Sequence, residues 1–151
     1  MAAASVFPVG TRRWIYDEGR RGGTRLRYFG FYDAMPYAPG AGVRAADLPR
    51  GDMSVNRVDL ARYMGACATL TVVPGVENNP FDPSQQVMGG FSLKTDGEWI
   101  WPDIAGHLVR EHDFAVPPEF EERTARLGFA APVLTHQEVL DIFHEVKSDL
   151  W

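Results

Sequence analysis

Four histidines are the residues best suited to acid–base or metal chemistry in this 151-residue chain. His107 and His112 are five residues apart, a spacing that does not place two side chains on one face of a helix. His136 and His144 are eight residues apart, about two helical turns, which is too far for one shared metal ion. We therefore interpret each histidine as a surface or helix-end residue, and the sequence predicts no metal site and no cofactor.

The single cysteine, Cys67, stands in a segment of small residues, 65–68. It has no partner for an intrachain disulfide, and a nucleophilic thiol needs a nearby base and an electropositive setting. Because no histidine is near it in the sequence, a buried thiol is predicted. The chain also has none of the short motifs of serine hydrolases, P-loop proteins, dinucleotide-binding proteins or zinc proteases. No catalytic residue is assigned, and a non-catalytic role is favoured.

The strongest local pattern is Asp96-Gly97 between two strand-like runs, 91–95 and 98–101. An Asp-Gly pair in this position predicts a β-hairpin with a two-residue type I′ turn, in which both turn residues have positive φ. A turn of two residues also sets the register of the strands. The predicted pairs are Thr95 with Glu98, Lys94 with Trp99, Leu93 with Ile100, and Ser92 with Trp101.

Alternation along the two strands divides this hairpin into two sides. The apolar side is predicted to face the core, and it carries Phe91, Leu93, Thr95, Glu98 and Ile100. The other side carries Ser92, Lys94, Trp99 and Trp101. At the turn, Asp96 and Glu98 are predicted to be exposed to solvent.

The two tryptophans admit three interpretations. If exposed, Trp99 and Trp101 would anchor a protein partner, with Lys94 stacked on Trp99 in a cation–π contact. They would alternatively stack on a sugar or a base. The third interpretation is burial beneath helices or long loops, as is usual for large aromatic side chains.

The N-terminal third predicts a basic hairpin followed by a long loop. Residues 1–10 are interpreted as a loose lead-in, 12–16 and 25–32 as strands, and 17–23 as the turn between them. Residues 33–52 are rich in proline and glycine and have little periodicity, which predicts a functional or mobile loop.

The rest of the chain alternates between helical and strand patterns. It predicts a helix over 54–65, a strand over 68–73, a second long loop over 74–89, and helices over 102–112, over 118–127 and from the capping box at Thr135. Together these elements predict a single α+β domain over 1–151. Its antiparallel or mixed sheet has about four to five strands, and the last three of about four helices cover one face.

Charge is distributed unevenly along the chain. Residues 1–50 carry eight arginines and four acidic residues, whereas residues 51–151 carry seven basic and sixteen acidic residues. The acidic part would be repelled by phosphate backbones, so nucleic-acid binding is not expected. It favours a basic protein partner, unless the acidic helix faces are simply solvated.

The sequence predicts a cytoplasmic protein that does not interact with membranes. No apolar run approaches the length of a membrane span. Arg12 and Arg13 follow the apolar N-terminal residues, which is the wrong order for a signal peptide. A single cysteine is also typical of a reducing compartment.

One stretch resembles a protein family. Residues 89–102 read GGFSLKTDGEWIWP, and the pattern runs on to His112 and to the segment VPPEF at 116–120. This arrangement resembles that of poorly characterised small bacterial proteins that share a strand, a DG-x-W-x-WP turn, an amphipathic helix and a PxEF helix start. Those proteins are similar to immunity proteins of polymorphic toxin systems. The resemblance implies tight binding of a toxin without catalysis, and it assigns no catalytic residue.

Three function hypotheses follow. The first is a non-catalytic protein that neutralises a basic toxin by occlusion. Its interface would contain Trp99, Trp101 and Lys94, with the acidic residues Glu119, Glu121, Glu122, Glu138, Asp141, Glu145 and Asp149. The second is a small enzyme or ligand-binding protein, with a pocket between the sheet and the loops 33–52 and 74–89. The third is a subunit of a larger bacterial assembly.

Overall fold

The computed structural model describes residues 26–51 and 56–151. Over these ranges the chain is an α+β protein, as the sequence predicts. The strands are β1 (Arg27–Tyr28), β2 (Ala68–Thr71), β3 (Val76–Asn79), β4 (Asp82–Met88), β5 (Leu93–Thr95) and β6 (Trp99–Pro102). The α-helices are α1 (Arg57–Ala66), α2 (Ile104–His112), α3 (Pro118–Arg126) and α4 (His136–Leu150). Four strands form a mixed sheet in the order β1-β6-β5-β2, and β3 and β4 form a separate two-stranded sheet.

Only part of the predicted N-terminal hairpin can be compared with the structure. The lead-in 1–10, the strand 12–16, the turn 17–23 and the helix start at Ser54 lie outside the described residues. In the described part of the predicted strand 25–32, residues 26–32, only Arg27 and Tyr28 are strand residues. They pair in parallel with β6, with Arg27 opposite Trp99 and Tyr28 opposite Ile100.

The helices cover both faces of the four-stranded sheet. On one face, Phe120 of α3 packs its ring against Trp99 and Trp101, with centroids 5.7 and 5.2 Å apart. On the other face, Tyr28 lies beside Ile100 and donates a hydrogen bond to Asp149 of α4 at 3.0 Å. The expectation that the last three helices share one face is therefore wrong in this detail, because α4 packs on the opposite side.

The β5–β6 hairpin is present, but its register differs from the predicted one. Thr95 pairs with Ile100, Lys94 with Trp101 and Leu93 with Pro102. The turn therefore has Gly97 and Glu98 at its centre. Only Gly97 has positive φ, at 97°, which fits a type II′ turn rather than type I′.

The Asp96 carboxylate explains the change of register. Its Oδ1 atom accepts hydrogen bonds from the backbone N–H groups of Glu98 and Trp99, at 3.0 and 2.8 Å. A side chain that bonds its own backbone two residues on forms an Asx-turn, which moves the bend one residue towards the C-terminus. The pairing partners consequently shift by two residues. Because side chains alternate between the two faces of a strand, a shift of two residues leaves each side chain on the same face of the hairpin. The predicted division of the hairpin into two sides is therefore correct.

The first predicted loop is irregular but well packed. Residues 33–51 contain two short 3₁₀ turns, Ala38–Gly40 and Ala45–Asp47. The Asp33 N–H donates to the carbonyl of Val43 at 2.7 Å, which closes the loop on itself. Gly40 lies against Tyr32, where a Cβ atom would stand 2.3 Å from the Tyr32 carbonyl oxygen. This close approach of two backbone segments requires glycine.

The prediction of a second long loop over 74–89 is wrong. Residues Val76–Asn79 and Asp82–Met88 pair as antiparallel strands. Their turn is set by side chains, because Asn79 Oδ1 accepts from the N–H of Phe81 and Asp82 Oδ1 accepts from the N–H of Ser84. These strands are polar and mostly exposed, so they lack the apolar alternation by which strands are recognised in a sequence.

The helices agree well with their predicted positions. The capping box of α4 is complete, because Thr135 Oγ1 accepts from the Glu138 N–H and Glu138 Oε1 accepts from the Thr135 N–H. Gly128 follows α3 with a φ of 63°, as a residue at the C′ position should. Among the described helices, none is long and apolar enough to cross a membrane.

Candidate functional site

The tryptophan anchor predicted from the sequence is buried. Trp99, Trp101 and Lys94 are 2%, 0% and 8% exposed. The two indoles pack with Phe29 and Phe120, and the Phe29 ring stacks on Trp101 at 5.7 Å. The expectation that these three residues form an exposed interface is therefore wrong. The helices cover this side of the hairpin, which removes several large aromatic surfaces from water.

The predicted contact between Lys94 and Trp99 is also absent. Lys94 Nζ instead donates to Thr69 Oγ1 at 3.3 Å, across to the neighbouring strand β2. A different cation lies on Trp99, because the guanidinium of Arg27 stands 5.1 Å from its ring centroid. The cause is strand pairing, which places Lys94 opposite Trp101 and Arg27 opposite Trp99.

The predicted acidic residues do not form one continuous cluster. Glu119 and Glu122 are exposed on α3, and Glu121 lines a separate small cavity beside Arg57. Glu145 is half-buried, and its Oε2 atom has no hydrogen-bond partner in the described part of the chain. Asp149 is engaged with Tyr28. Of the predicted set, Glu138 and Asp141 share a groove.

This acidic groove has a volume of about 430 Å³. It lies where the turn of the β5–β6 hairpin meets α3, the segment before α4 and the first turns of α4. Four acidic residues and one arginine line it, together with apolar side chains. The residues are Asp96, Gly97, Glu98, Arg123, Pro132, Leu134, Glu138, Asp141 and Ile142.

Asp96 anchors the inner wall of the groove. Contrary to the expectation of an exposed turn residue, its side chain is fully buried. Its Oδ2 atom accepts from the Tyr63 hydroxyl at 2.6 Å and from Arg123 Nε at 3.0 Å, while Oδ1 caps the turn. Because every oxygen has donors, this carboxylate serves as a structural anchor rather than a free acid.

Arg123 bonds both the buried Asp96 and the exposed Glu98. Its NH1 atom donates to Glu98 Oε2 at 2.6 Å, and Glu98 itself is 58% exposed as predicted. Burial alone would lower the pKa of Arg123, but Asp96 and Glu98 outweigh it and raise that pKa. The guanidinium is therefore permanently charged, and two carboxylates already compensate its charge.

Two further groups beneath the groove are held in their neutral forms. The pKa of Tyr63 is raised by burial, by the hydrogen bond that its hydroxyl makes to Asp96, and by the negative charge of Asp96. Burial, followed by the charge of Asp96, raises the pKa of Cys67 to about 12. The predicted buried thiol is confirmed, and Cys67 is only 3% exposed.

The free charge of the groove is negative. Arg123 is shared by Asp96 and Glu98, whereas Glu138 and Asp141 are exposed at the rim. Pro132, Leu134 and Ile142 provide apolar surface between them. Such a surface fits an arginine or lysine side chain, whose aliphatic stem packs on apolar groups while its charged end meets carboxylates.

Two histidines are closer than their spacing predicts. The rings of His107 and His112 have centroids 5.9 Å apart. His112 is the last residue of α2, and Asp113 leaves the helix with a φ of 59°. No group of three His, Cys, Asp or Glu side chains suitable for a metal ion occurs in the described ranges. His136 begins α4, and His144 lies further along it against Phe143.

A second cavity, the α1–α2 cleft, has a volume of about 250 Å³. It lies between two helices and touches the predicted loop 74–89 only through Val87. Burial raises the pKa of Asp103 in this cleft, against the opposing effect of Lys94. The lining residues are Ala61, Gly65, Val87, Asp103, Gly106, His107, Arg110 and Glu111.

Comparison with protein-family models, curated proteins and solved structures gave no match.

Proposed function

We propose that this chain is a non-catalytic bacterial protein that binds a basic protein partner through the acidic groove. The observation that carries the proposal is the combination of three exposed carboxylates, one already paired guanidinium and an apolar wall in a single depression. A basic side chain of the partner would be inserted there. Occlusion of the partner's own site by the surrounding surface would give an immunity-like neutralisation in the cytoplasm.

The charges support a protein partner over a nucleic acid. The phosphates of a nucleic acid would meet the exposed carboxylates of Glu138 and Asp141, and this contact is unfavourable. A basic protein would meet complementary charge, which accelerates encounter and makes binding sensitive to salt.

Affinity capture with matched charge variants tests this proposal. The tagged chain would be compared with a groove variant, Glu138→Gln/Asp141→Asn, and with a control variant, Glu119→Gln/Glu122→Gln. Both variants remove two exposed carboxylates, and glutamine at position 138 is compatible with the capping box. We expect a stoichiometric basic protein that elutes at higher salt, with binding reduced by the groove variant and retained by the control.

Two results would contradict the proposal. Equal losses in both variants would indicate a general effect of net charge, and the groove would have no special role. Capture of the bait alone at low salt would remove the support for a protein partner.

The α1–α2 cleft supports a second candidate function, binding of a small polar ligand. Its polar wall carries Asp103, His107 and Arg110 on one side of α2, and Gly65 leaves open space opposite them, because a Cβ atom there would contact nothing within 4 Å. Metabolites would be screened by thermal shift against the native chain and Gly65→Leu. A stabilisation seen only in the native chain would favour this candidate.

A further inference from the structure

The tip of the β3–β4 hairpin is fastened to the end of α2 by one buried amide. Asn79 is 0% exposed, and its Nδ2 atom donates to Gln85 Oε1 at 2.9 Å and to His112 Nε2 at 2.8 Å. Its Oδ1 atom accepts from the N–H of Phe81 at 2.8 Å. Gln85 Oε1 also lies 3.3 Å from His107 Nε2. These four side chains form a continuous hydrogen-bonded chain, the Asn79 network.

This arrangement defines the protonation state of His112. The orientation of the Asn79 amide is fixed, because Oδ1 faces a backbone donor and Nδ2 must therefore face the imidazole. An NH₂ group can only donate, so Nε2 of His112 must be an acceptor. The network requires a neutral ring that carries its proton on Nδ1.

The surroundings also oppose protonation. Burial lowers the pKa of His112, and the positive charges of His107 and Arg50 lower it further, against Asp82 and Glu111. Arg50 contacts both the end of α2 and the turn of the β3–β4 hairpin. Its Nε atom donates to the His112 carbonyl at 2.9 Å, and its guanidinium lies 4.4 Å from the Phe81 ring. The Phe81 ring in turn lies 5.8 Å from the imidazole.

We propose that His112 is a pH-responsive latch, which holds the β3–β4 hairpin on α2 when neutral and releases it when protonated. A protonated ring would direct an N–H group at the Asn79 amide, so the buried Nδ2 of Asn79 would face a second donor, from the half-buried His112, instead of an acceptor. Reversing the amide would satisfy His112, but it would remove the acceptor of the Phe81 N–H and the hydrogen bond from Asn79 to Gln85 Oε1.

The β3–β4 hairpin is a separate element of the fold. Its two strands pair with each other and not with the four-stranded sheet. Most of their side chains are exposed, and a two-stranded hairpin is marginally stable without external contacts. The Asn79 network and the Phe81–Arg50 contact hold its tip, beside the packing of Phe81 and Val87 on the core.

The direction of the pH effect follows from the lowered pKa. The unfolded or undocked histidine titrates near its ordinary pKa of about 6.5, and the docked one titrates below it. Docking is fully stable above about pH 6.5 and weakens as the pH falls through this range towards the lower pKa.

Hydrogen–deuterium exchange on the full chain tests the latch. Protection of amides 76–88 would be compared at about pH 7.5 and about pH 5, corrected for intrinsic exchange, with the amides of β6 as an internal reference. We expect protection of the hairpin to fall about tenfold at the lower pH, the effect of a buried donor without an acceptor, while β6 is unchanged. Equal protection at both pH values, or a parallel loss in β6, would overturn the proposal.

Matched variants separate the latch from a general effect of acid. His112→Gln provides an acceptor that does not titrate, so the hairpin should stay protected at both pH values. His144→Gln removes an exposed histidine of α4 that lies outside the network, and it should keep the pH response. Because His112→Gln also changes packing, ¹⁵N chemical shifts of the native imidazole provide an independent readout. A doubly protonated His112 at neutral pH would exclude the mechanism.

Discussion

Arg123 Nε lies 3.0 Å from Asp96 Oδ2, and this ion pair joins α3 to the turn of the β5–β6 hairpin. The carboxylate is fully buried and the arginine side chain is 16% exposed. The same carboxylate also accepts a hydrogen bond from the hydroxyl of Tyr63, which lies on α1. One acidic side chain therefore connects two helices and a turn, and the guanidinium beside it compensates its charge.

Loss of this guanidinium should strongly destabilise the protein. Arg123→Met leaves Asp96 as a buried charge without its cation, which is expected to lower the free energy of unfolding by about 3–5 kcal/mol. Arg126→Met is the matched control, because Arg126 is exposed and lies 3.9 Å from Glu122, and its loss should change stability by less than about 0.5 kcal/mol. Urea unfolding measures both. Similar values for the two variants would show that the buried pair is not a main determinant of stability.

The capping box of α4 should contribute measurably to stability. Thr135→Ala removes the acceptor for the Glu138 N–H, and a cost of about 1 kcal/mol is expected. Ser148→Ala, at an exposed position near the other end of the same helix, should be close to neutral. The two variants would be compared by thermal unfolding. A Thr135→Ala variant as stable as the control would contradict the prediction.

Glycine substitutions should change stability in opposite directions at two positions. Gly97 has a φ of 97°, so Gly97→Ala is expected to cost about 1–2 kcal/mol. Gly65 lies within α1 and faces open space, so Gly65→Ala should stabilise the protein by roughly 0.5–1 kcal/mol. Denaturant midpoints give the sign of each effect. Destabilisation by Gly65→Ala would indicate that the α1–α2 cleft does not tolerate a methyl group.

Cys67 should be unreactive in the folded protein. Because its pKa is about 12, the thiolate fraction near pH 8 is roughly a thousandfold lower than that of a free thiol. A disulfide reagent should therefore label the chain rapidly in urea and very slowly in buffer. The stability linked to this raised pKa is complete below about pH 8.5 and is lost as the pH rises towards 12. Fast labelling of the folded protein would exclude this environment.

Local patterns in the sequence predicted much of the fold. The capping box, the closing glycine of α3 and the two sides of the β5–β6 hairpin depend on residues close in the chain, and they were predicted correctly. The register was not, because the Asp96 side chain competes with the expected Asp-Gly turn. The strands β3 and β4 were missed because polar, exposed strands show no apolar alternation.

The candidate site was predicted only at its rim. Glu138 and Asp141 were identified as acidic residues of α4, but neither Arg123 nor the apolar wall was. No sequence signal could have identified them, since α3 and α4 approach the hairpin turn only in the folded chain. The His107–His112 contact was missed for a related reason. Helical spacing describes residues within a regular helix, whereas His112 ends α2.

The parallel pairing of β1 with β6 has a consequence for synthesis. Roughly seventy residues separate Tyr28 from Ile100, its neighbour in the sheet. At a translation rate of about 5–20 residues per second, β1 is synthesised roughly 4–14 s before its partner exists. During this interval the side chain of Tyr28, fully buried in the native state, has no sheet on which to pack. In the nascent chain, β1 therefore stays without its sheet partner until the β5–β6 hairpin has been synthesised.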